Sequence, residues 1–407
     1  MKNHLLHRIL RQYEYKVLYK RCAFTFWILF IYILGSRITI VDPSSMVVKD
    51  KSFYQLAVSN VGGDVQTLNL FSLGLGPWLT ALIFLMLLRY RDMEKSAQLT
   101  RREKHYQEKL LALLLSVIQG YFVIHQYVSA QQRENTNIWL MLLILVAGTM
   151  LLIWLADQNV RYGIAGAMPI VLMSIIRSIF HQQLPDIAID GWLLVLIVIL
   201  IGLTLVILLF LEFVEYRLHY RDIMQVDQSR AKTFVAWKLN PAGSISIMIS
   251  LSVFILLNSL LNIIVNVIPN TSIDLAWLQL RHPVGVTVYI LLQVTLGYAL
   301  SRLLIHTKQK AKTFLKSGSY FEGVKPGPET SRYLNQKARL VCWTGAGIVG
   351  LVIGGPLYLS LFVPQLSQQI YFAIQLMIIM YISINIAETI RTYLYFDKYQ
   401  QFLTKYW

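Results

Sequence analysis

The chain has 407 residues, of which 56% are hydrophobic and only 14% charged, with 37 Lys and Arg against 21 Asp and Glu. A soluble protein of this length needs far more polar surface to cover its core, so that class is excluded. A formal net charge of +16 points to anionic headgroups and a cytoplasmic partner rather than nucleic acid, and two cysteines, Cys22 and Cys342, exclude a disulfide framework or a Cys/His zinc pattern.

Hydrocarbon offers backbone amides no water, so apolar runs of about 20 residues predict spanning helices. Such runs fall at 22–41, 70–88, 110–128, 137–156, 164–180, 191–211, 242–263, 284–304, 340–360 and 370–390. The first is expected to stay in the protein: residues 1–21 are too long and basic for a signal-peptide leader, and Ile33–Val41 lacks a small-x-small cleavage site. Segments 1–21, 89–109, 157–163, 212–240, 302–339 and 391–407 carry 31 of the 37 Lys and Arg. Basic segments resist translocation, so these lie on the cytoplasmic side. The expected fold is an all-α, polytopic membrane protein with ten transmembrane helices and both termini cytoplasmic. Its domains read as an N-terminal segment 1–21, a first half 22–180, a second half 181–390 and a tail 391–407. Five spans in each half allow a pseudo-symmetric inverted pair. The basic loops 212–240 and 302–339 are longer than topology requires and suit a docking surface.

Segment 42–69 is mixed in polarity and holds Asn60-Val61-Gly62-Gly63-Asp64, which fits either an external loop or a loop at membrane depth walled by protein. Gly345-Ala346-Gly347-Ile348-Val349-Gly350 matches GxGxxG, but it lies within an apolar run without a preceding strand, so close helix packing explains it better than a nucleotide. Arg37, Arg177 and Glu388 lie near span ends, where snorkelling suffices, and the span centres are nearly free of charge. The eight histidines form no HExxH and gather no carboxylates at ligand spacing, so neither a metal nor a catalytic set is expected. The centres do hold uncharged polar groups: Asn258, Asn262 and Asn266 on one face of the seventh span, Gln119 in the third and Thr80 in the second. These read either as structural glue between helices or as a polar seam that can open.

Several stretches, in order, resemble SecY, the channel subunit of the Sec protein translocon. Gly62-Gly63 followed by Leu70-Phe71-Ser72-Leu73-Gly74-Leu75-Gly76-Pro77-Trp78-Leu79-Thr80 looks like the family's plug and second span. Leu155-Ala156-Asp157-Gln158 with Arg161, Gly163 and Ile164 looks like its fourth-to-fifth-span motif. Lys238-Leu239-Asn240-Pro241-Ala242-Gly243 resembles the entry to its seventh span, and Gly323-Val324-Lys325-Pro326-Gly327 resembles "G-I-R-P-G" between spans eight and nine. Lys325 stands for the usual Arg, Asp157 for Glu, and Ala165-Gly166-Ala167 for Gly-Asn-Gly; loop 212–240 is short and lacks the usual paired arginines. These departures look like the accessory SecY of Gram-positive bacteria, whose dedicated motor exports serine-rich, glycosylated surface adhesins.

The resemblance implies an hourglass channel in a bacterial cell membrane with no enzyme activity and no cofactor. Its apolar pore ring would be Leu75, Leu79, Met168, Leu172, Met248 and Ile378. A plug at about 55–69 would include Gly62, Gly63, Asp64, Val65 and Leu68. A lateral gate between spans two/three and seven/eight would bring Thr80, Gln119 and Asn258 together. Lys316, Lys325 and Arg332 would dock an acidic surface of a SecA-type motor ATPase. Further expected partners are a SecE-like small membrane subunit, accessory Sec proteins, the secreted preprotein and membrane lipids. The alternatives are a housekeeping SecY, a ten-span transporter of small molecules or lipid-linked sugars, and, third, a membrane-bound transferase.

Overall fold

The computed structural model describes residues 2–41, 58–64, 67–91, 98–128, 137–181, 191–222, 233–267, 282–362 and 367–394. Its helices in chain order are α1 (Lys2–Arg37), α2 (Gly76–Arg91), α3 (Arg101–Tyr127), α4 (Ile138–Tyr162), α5 (Met168–His181) and α6 (Gly191–Phe213). They are followed by α7 (Gly243–Val267), α8 (Pro283–Ile305), α9 (Thr307–Ser317), α10 (Pro328–Phe362) and α11 (Ser367–Leu394). Among the described residues, seven helices are long and apolar enough to cross a membrane, and shorter apolar helices at Gly76–Tyr90, Met168–Phe180 and Gly202–Phe213 accompany them.

Local chemistry sets the helix ends. Thr100 and Glu103 form a reciprocal capping box that starts α3 ten residues before its apolar run. The Asn137 side chain caps α4 by accepting from Trp139 N–H, and Pro283 opens α8 where its missing N–H costs nothing. Between α4 and α5 the chain reverses through Ala165 and Gly166, both at positive φ. Asn159 holds that turn, donating to the carbonyls of Ile164 at 3.0 Å and Gly166 at 2.7 Å, while its carbonyl oxygen accepts from Thr25 on α1. The motif running from Leu155 to Ile164 thus ties the bases of α1, α4 and α5 together.

The two halves meet along two seams, α2 and α3 against α7, and α1 and α5 against α11. One apolar core runs through both, with Leu75, Leu145, Leu152, Ile170, Ile249 and Ile382 among its fully buried members. On the other side of α7, α8 packs along α10. There a Cβ at Gly345 would sit 2.1 Å from the Leu239 carbonyl oxygen, and Cβ atoms at Gly350 and Gly354 would meet Val294 and Ile290 of α8 at 2.5 and 2.7 Å. The GxGxxG glycines are therefore packing residues, with Gly347 facing open space.

Three sequence expectations need revision. The fold is predominantly helical rather than all-α. Strand β1 (Glu215–His219) pairs antiparallel with β3 (Phe234–Lys238), with Tyr216 opposite Trp237, and β2 (Arg221–Asp222) pairs with β4 (Ser319–Tyr320). That second pairing joins the two basic loops, expected as separate segments, into one folded module. Its own small core holds Leu218, Trp237, Ala311, Phe321, Leu334 and Cys342. Tyr220, Phe314, Phe321 and Tyr333 stack through it at ring separations of 4.9 to 5.4 Å. Finally, α10 starts at Pro328, a dozen residues before its apolar run, because the amphipathic first turns bury Leu334 and Ala338 in this module.

Gly345→Val forces a branched side chain into the Leu239 carbonyl and is expected to destabilise by about 1–3 kcal/mol, the usual range for overpacking. Gly347→Ala is expected to be neutral. Thermal unfolding of the detergent-purified variants checks both.

Candidate functional site

Where the two seams converge, the described residues between Val58 and Leu75 lie largely buried without forming a long helix. Val58, Asn60 and Val61 are at most 5% exposed, and the turn at Gly62 takes φ +85°, open to glycine without strain. Beneath that turn lie Val171, Ile170 and Leu75, at 3.6, 3.8 and 3.9 Å from where a Cβ would stand.

Side chains from three helices hold the segment. Tyr32 of α1 donates to the Gly62 carbonyl at 3.1 Å, and Ser174 of α5 donates to the Gly63 carbonyl at 2.8 Å. Gln375 of α11 donates to Ser59 Oγ at 3.4 Å and to Ser178 Oγ at 3.2 Å. Leu75 N–H completes the set by donating to the Val61 carbonyl at 2.8 Å. Asp64 lies 3.5 Å from Arg177 Nη2, and Arg177 Nη1 donates to the Ser36 carbonyl. The chain then returns along the end of α1, where Ile40 N–H donates to Leu68 O and Leu70 N–H to Ile38 O. Arg177 does not snorkel as its position near a span end suggested: it is a half-buried clasp between α5, α1 and the central segment.

Of the six ring residues, Leu75, Leu79, Met248 and Ile378 are buried in the central core, and Met168 and Leu172 pack half-buried against it. Ile170 and Val171, not singled out in the sequence, face the Gly62 turn more directly than Met168 or Leu172. Periodicity alone could not choose between neighbouring faces of this apolar helix. Of the plug residues, Gly62, Gly63 and Asp64 form the turn and its clasp, Leu68 is fully buried, and Val65 lies outside the described residues.

The gate residues do not come together as a threesome. Thr80 turns its hydroxyl into its own helix, donating to the carbonyls of Gly76 at 3.1 Å and Pro77 at 2.9 Å. Asn258 is half-buried, and its carbonyl accepts from Asn262 Nδ2. The Asn266 side chain is outside the described set. Gln119 instead faces Ser252 of α7 across a cavity of ≈ 10 Å³, about one water in size, also lined by Val61, Ser72, Gly76 and Ile255. Gln119 Nε2 and Ser252 Oγ have no hydrogen-bond partner among the described residues. A second polar contact joins α7 to α8: Ser250 donates to Gln293 Oε1, and Gln293 Nε2 reaches Ser246 Oγ. Ser246 and Ser250 stand four residues apart, so their common face is legible in the sequence.

At the base of α7, Lys238 Nζ lies 2.9 Å from Glu212 and 2.7 Å from Glu388. Burial alone would lower the pKa of this ammonium, but the two carboxylates outweigh it and hold the group above the ordinary lysine value. Glu388 therefore belongs to a three-residue charge cluster binding α6, β3 and α11, which corrects the expectation that it only snorkels. On the neighbouring module, Lys316, Lys325 and Arg332 are all exposed, and Lys310 lies over the Trp237 ring at 5.7 Å. No described hydrogen bond or ion pair occupies the charged ends of Lys316, Lys325 or Arg332. They face outward, free for a partner.

The SecY family model matches residues 69–387. A relative from Staphylococcus pseudintermedius, "Accessory Sec system protein translocase subunit SecY2", is 58% identical over the full length of both chains. Its counterpart in Staphylococcus aureus strain Newman is 57% identical over 98% of this chain and all of its own. Among solved structures, "The structure of a protein conducting channel" superposes with a TM-score of 0.67, covering 94% of this chain and 95% of the other at 13% identity. "The plug domain of the SecY protein stablizes the closed state of the translocation channel and maintains a membrane seal" gives 0.64 at 14% identity, with the same coverage.

Lys238→Met leaves Glu212, only 3% exposed, as an uncompensated buried charge and is expected to cost about 3 kcal/mol or more. Adding Glu212→Gln is expected to recover most of that loss. Thermal unfolding of the single and double variants is the check.

Proposed function

This chain belongs to the SecY family, and we propose that it is the pore-forming subunit of an accessory protein-export channel, with ten spans and both ends in the cytoplasm. Protein translocation across a cell membrane is the family's activity, and the full-length likeness to staphylococcal accessory subunits favours the accessory system. The observation that carries the channel reading is the run of short turns around Gly62, set against Ile170 and Val171 of the first half and Ile255 of the second. Backbone of that kind is tolerated at membrane depth only where protein or water surrounds it, which is the condition at the waist of a pore.

On this reading Leu75, Leu79, Met168, Leu172, Met248 and Ile378, joined by Ile170 and Val171, form the gasket. Bulky aliphatic side chains exclude water and ions by dewetting, and the unbranched methionines adapt to whatever chain passes. Residues 58–68 are the plug, and the α2/α3 seam against α7 is the lateral gate. The two halves meet through second with seventh and fifth with tenth spans, the pairing expected of a pseudo-twofold related five-and-five architecture. The folded loop module is the motor's landing surface. Its exposed Lys316, Lys325 and Arg332 suit an acidic face of a SecA-type ATPase, and such steering weakens with salt. A SecE-like subunit and accessory Sec proteins complete the assembly, and large serine-rich, glycosylated adhesins are its substrates.

Replacing Leu79, Met168 and Met248 together by Ser is expected to make reconstituted channels conduct ions at rest, where the parent is tight. Unchanged conductance would remove these residues from the ring. Lys325→Glu is expected to slow motor-driven export several-fold while leaving the amount of membrane-inserted protein unchanged. Export at the parental rate would place the docking surface elsewhere.

A further inference from the structure

The plug segment is held in an unusual way. Its own amide hydrogens are spent locally: Val61 N–H and Gly63 N–H donate to Val58 O, Gly62 N–H to Ser59 O, and Asp64 N–H to Ser72 O. Its carbonyls point outward, and three consecutive ones, those of Val61, Gly62 and Gly63, accept from Leu75 N–H, the Tyr32 hydroxyl and the Ser174 hydroxyl. None of these donors contacts a plug side chain's polar atom to make its bond; each recognises the main chain. A main chain carries the same carbonyl at every residue, whatever its sequence.

The fit of the plug itself is incomplete. Both polar atoms of the fully buried Asn60 side chain, and Oε1 of the fully buried Gln375, lack partners among the described residues. Buried polar atoms left unpaired are costly, so among the described residues the plug leaves one acceptor of its surroundings, Gln375 Oε1, open and carries an unpaired amide of its own at Asn60. An occupant bringing main-chain N–H groups as well as carbonyls would satisfy the Gln375 oxygen that the plug leaves open.

We propose that Tyr32, Ser174 and the Leu75 amide form a binding site for polypeptide main-chain carbonyls, which the plug occupies at rest and the transported chain occupies during passage. The proposal rests on the channel reading above and adds a ligand class to it. The site favours stretches of small, flexible residues. The central position takes φ +85°, which glycine adopts freely and branched residues do not, and an extended chain turns alternate carbonyls away so that it engages fewer of the three donors. A glycine-rich stretch therefore dwells longer at the seat than an alanine-rich one.

Two export substrates, identical except for a block of ten glycines or ten alanines, test this in proteoliposomes holding the assembled translocon. The readout is the ratio of their transit times, which cancels any change in how readily the plug leaves. With the parental site the glycine block is expected to take about three-fold longer or more, since one or two net hydrogen bonds correspond to a several-fold change. In the Tyr32→Phe/Ser174→Ala channel the ratio is expected to fall to about one. Both substitutions are small, and Phe keeps the stacking of position 32 on Phe71 at 5.7 Å, so the channel stays folded. A ratio unchanged by the double substitution, or already equal to one in the parent, overturns the carbonyl site while leaving the channel reading intact. Failure of the parental channel to pass either substrate overturns the channel reading and this site with it.

Discussion

Main-chain amides that leave a helix inside hydrocarbon have no water to turn to, and the stretch from Val58 to Leu75 leaves it in the middle of this molecule. The rest of the architecture can be read as the solution to that one difficulty. Short turns within the stretch absorb its N–H groups, and α1, α5 and the first residue before α2 supply donors for its carbonyls. Arg177 fixes the far end through Asp64 and the last turn of α1. Ten apolar helices could pack in many ways, since lipid is as apolar as their side chains. Directional hydrogen bonds to one irregular segment select an arrangement in which α1, α5 and α11 converge on it.

Two kinds of interaction then close the centre, and they respond differently to disturbance. The apolar side chains around Leu75, Ile170 and Val171 are non-directional and can part and close again without a specific partner. The hydrogen bonds to the plug are directional, but each is worth only about 1 kcal/mol net, because water or another chain replaces what is lost. On the proposed channel reading, a closed state held by a handful of such bonds lies within a few kcal/mol of an open one, the range in which a ligand can shift the population. The seam at Gln119 and Ser252 is looser still, with polar atoms on both faces of a small cavity that have no partner among the described residues. It is the place where parting the helices forfeits least.

Hydropathy located the helices well because the bilayer imposes length and composition together. Every expected apolar run coincides with a helix, and the departures are at ends governed by other forces, such as the capping box before α3 and the module contacts before α10. Motif order singled out the Gly62-Gly63 turn, since the glycine pair can be recognised without knowing what surrounds it. What escaped was pairing. Arg177 near a span end looks the same in sequence whether it snorkels or meets Asp64, and Glu388 looks the same whether or not Lys238 lies beside it. Tyr32 and Ser174 carried no signal, because a tyrosine and a serine in apolar helices become donors to a backbone only once the chain has folded around them. The β2–β4 pairing, two residues long and nearly a hundred residues apart, was beyond any local pattern.

The contrast between the two ends of the α2/α3–α7 seam gives the fold its mechanical sense. At its base, α7 is fixed on several sides: Lys238 sits between Glu212 and Glu388, Leu239 N–H donates to Val214 O, and Gly345 brings α10 against the Leu239 carbonyl. Two turns up, at Ser252, the same helix meets α3 with polar atoms unpaired. A rod held firmly at one end and weakly along its length moves by tilting, with the largest displacement away from the anchor. The anchor is also where β3 joins the loop module, so a force applied to that module enters α7 at its pivot. Charge cluster, hairpin and seam thus form one lever, whose stiff end is built from a lysine shared by two carboxylates and close backbone contact and whose yielding end is built from polar atoms unpaired among the described residues.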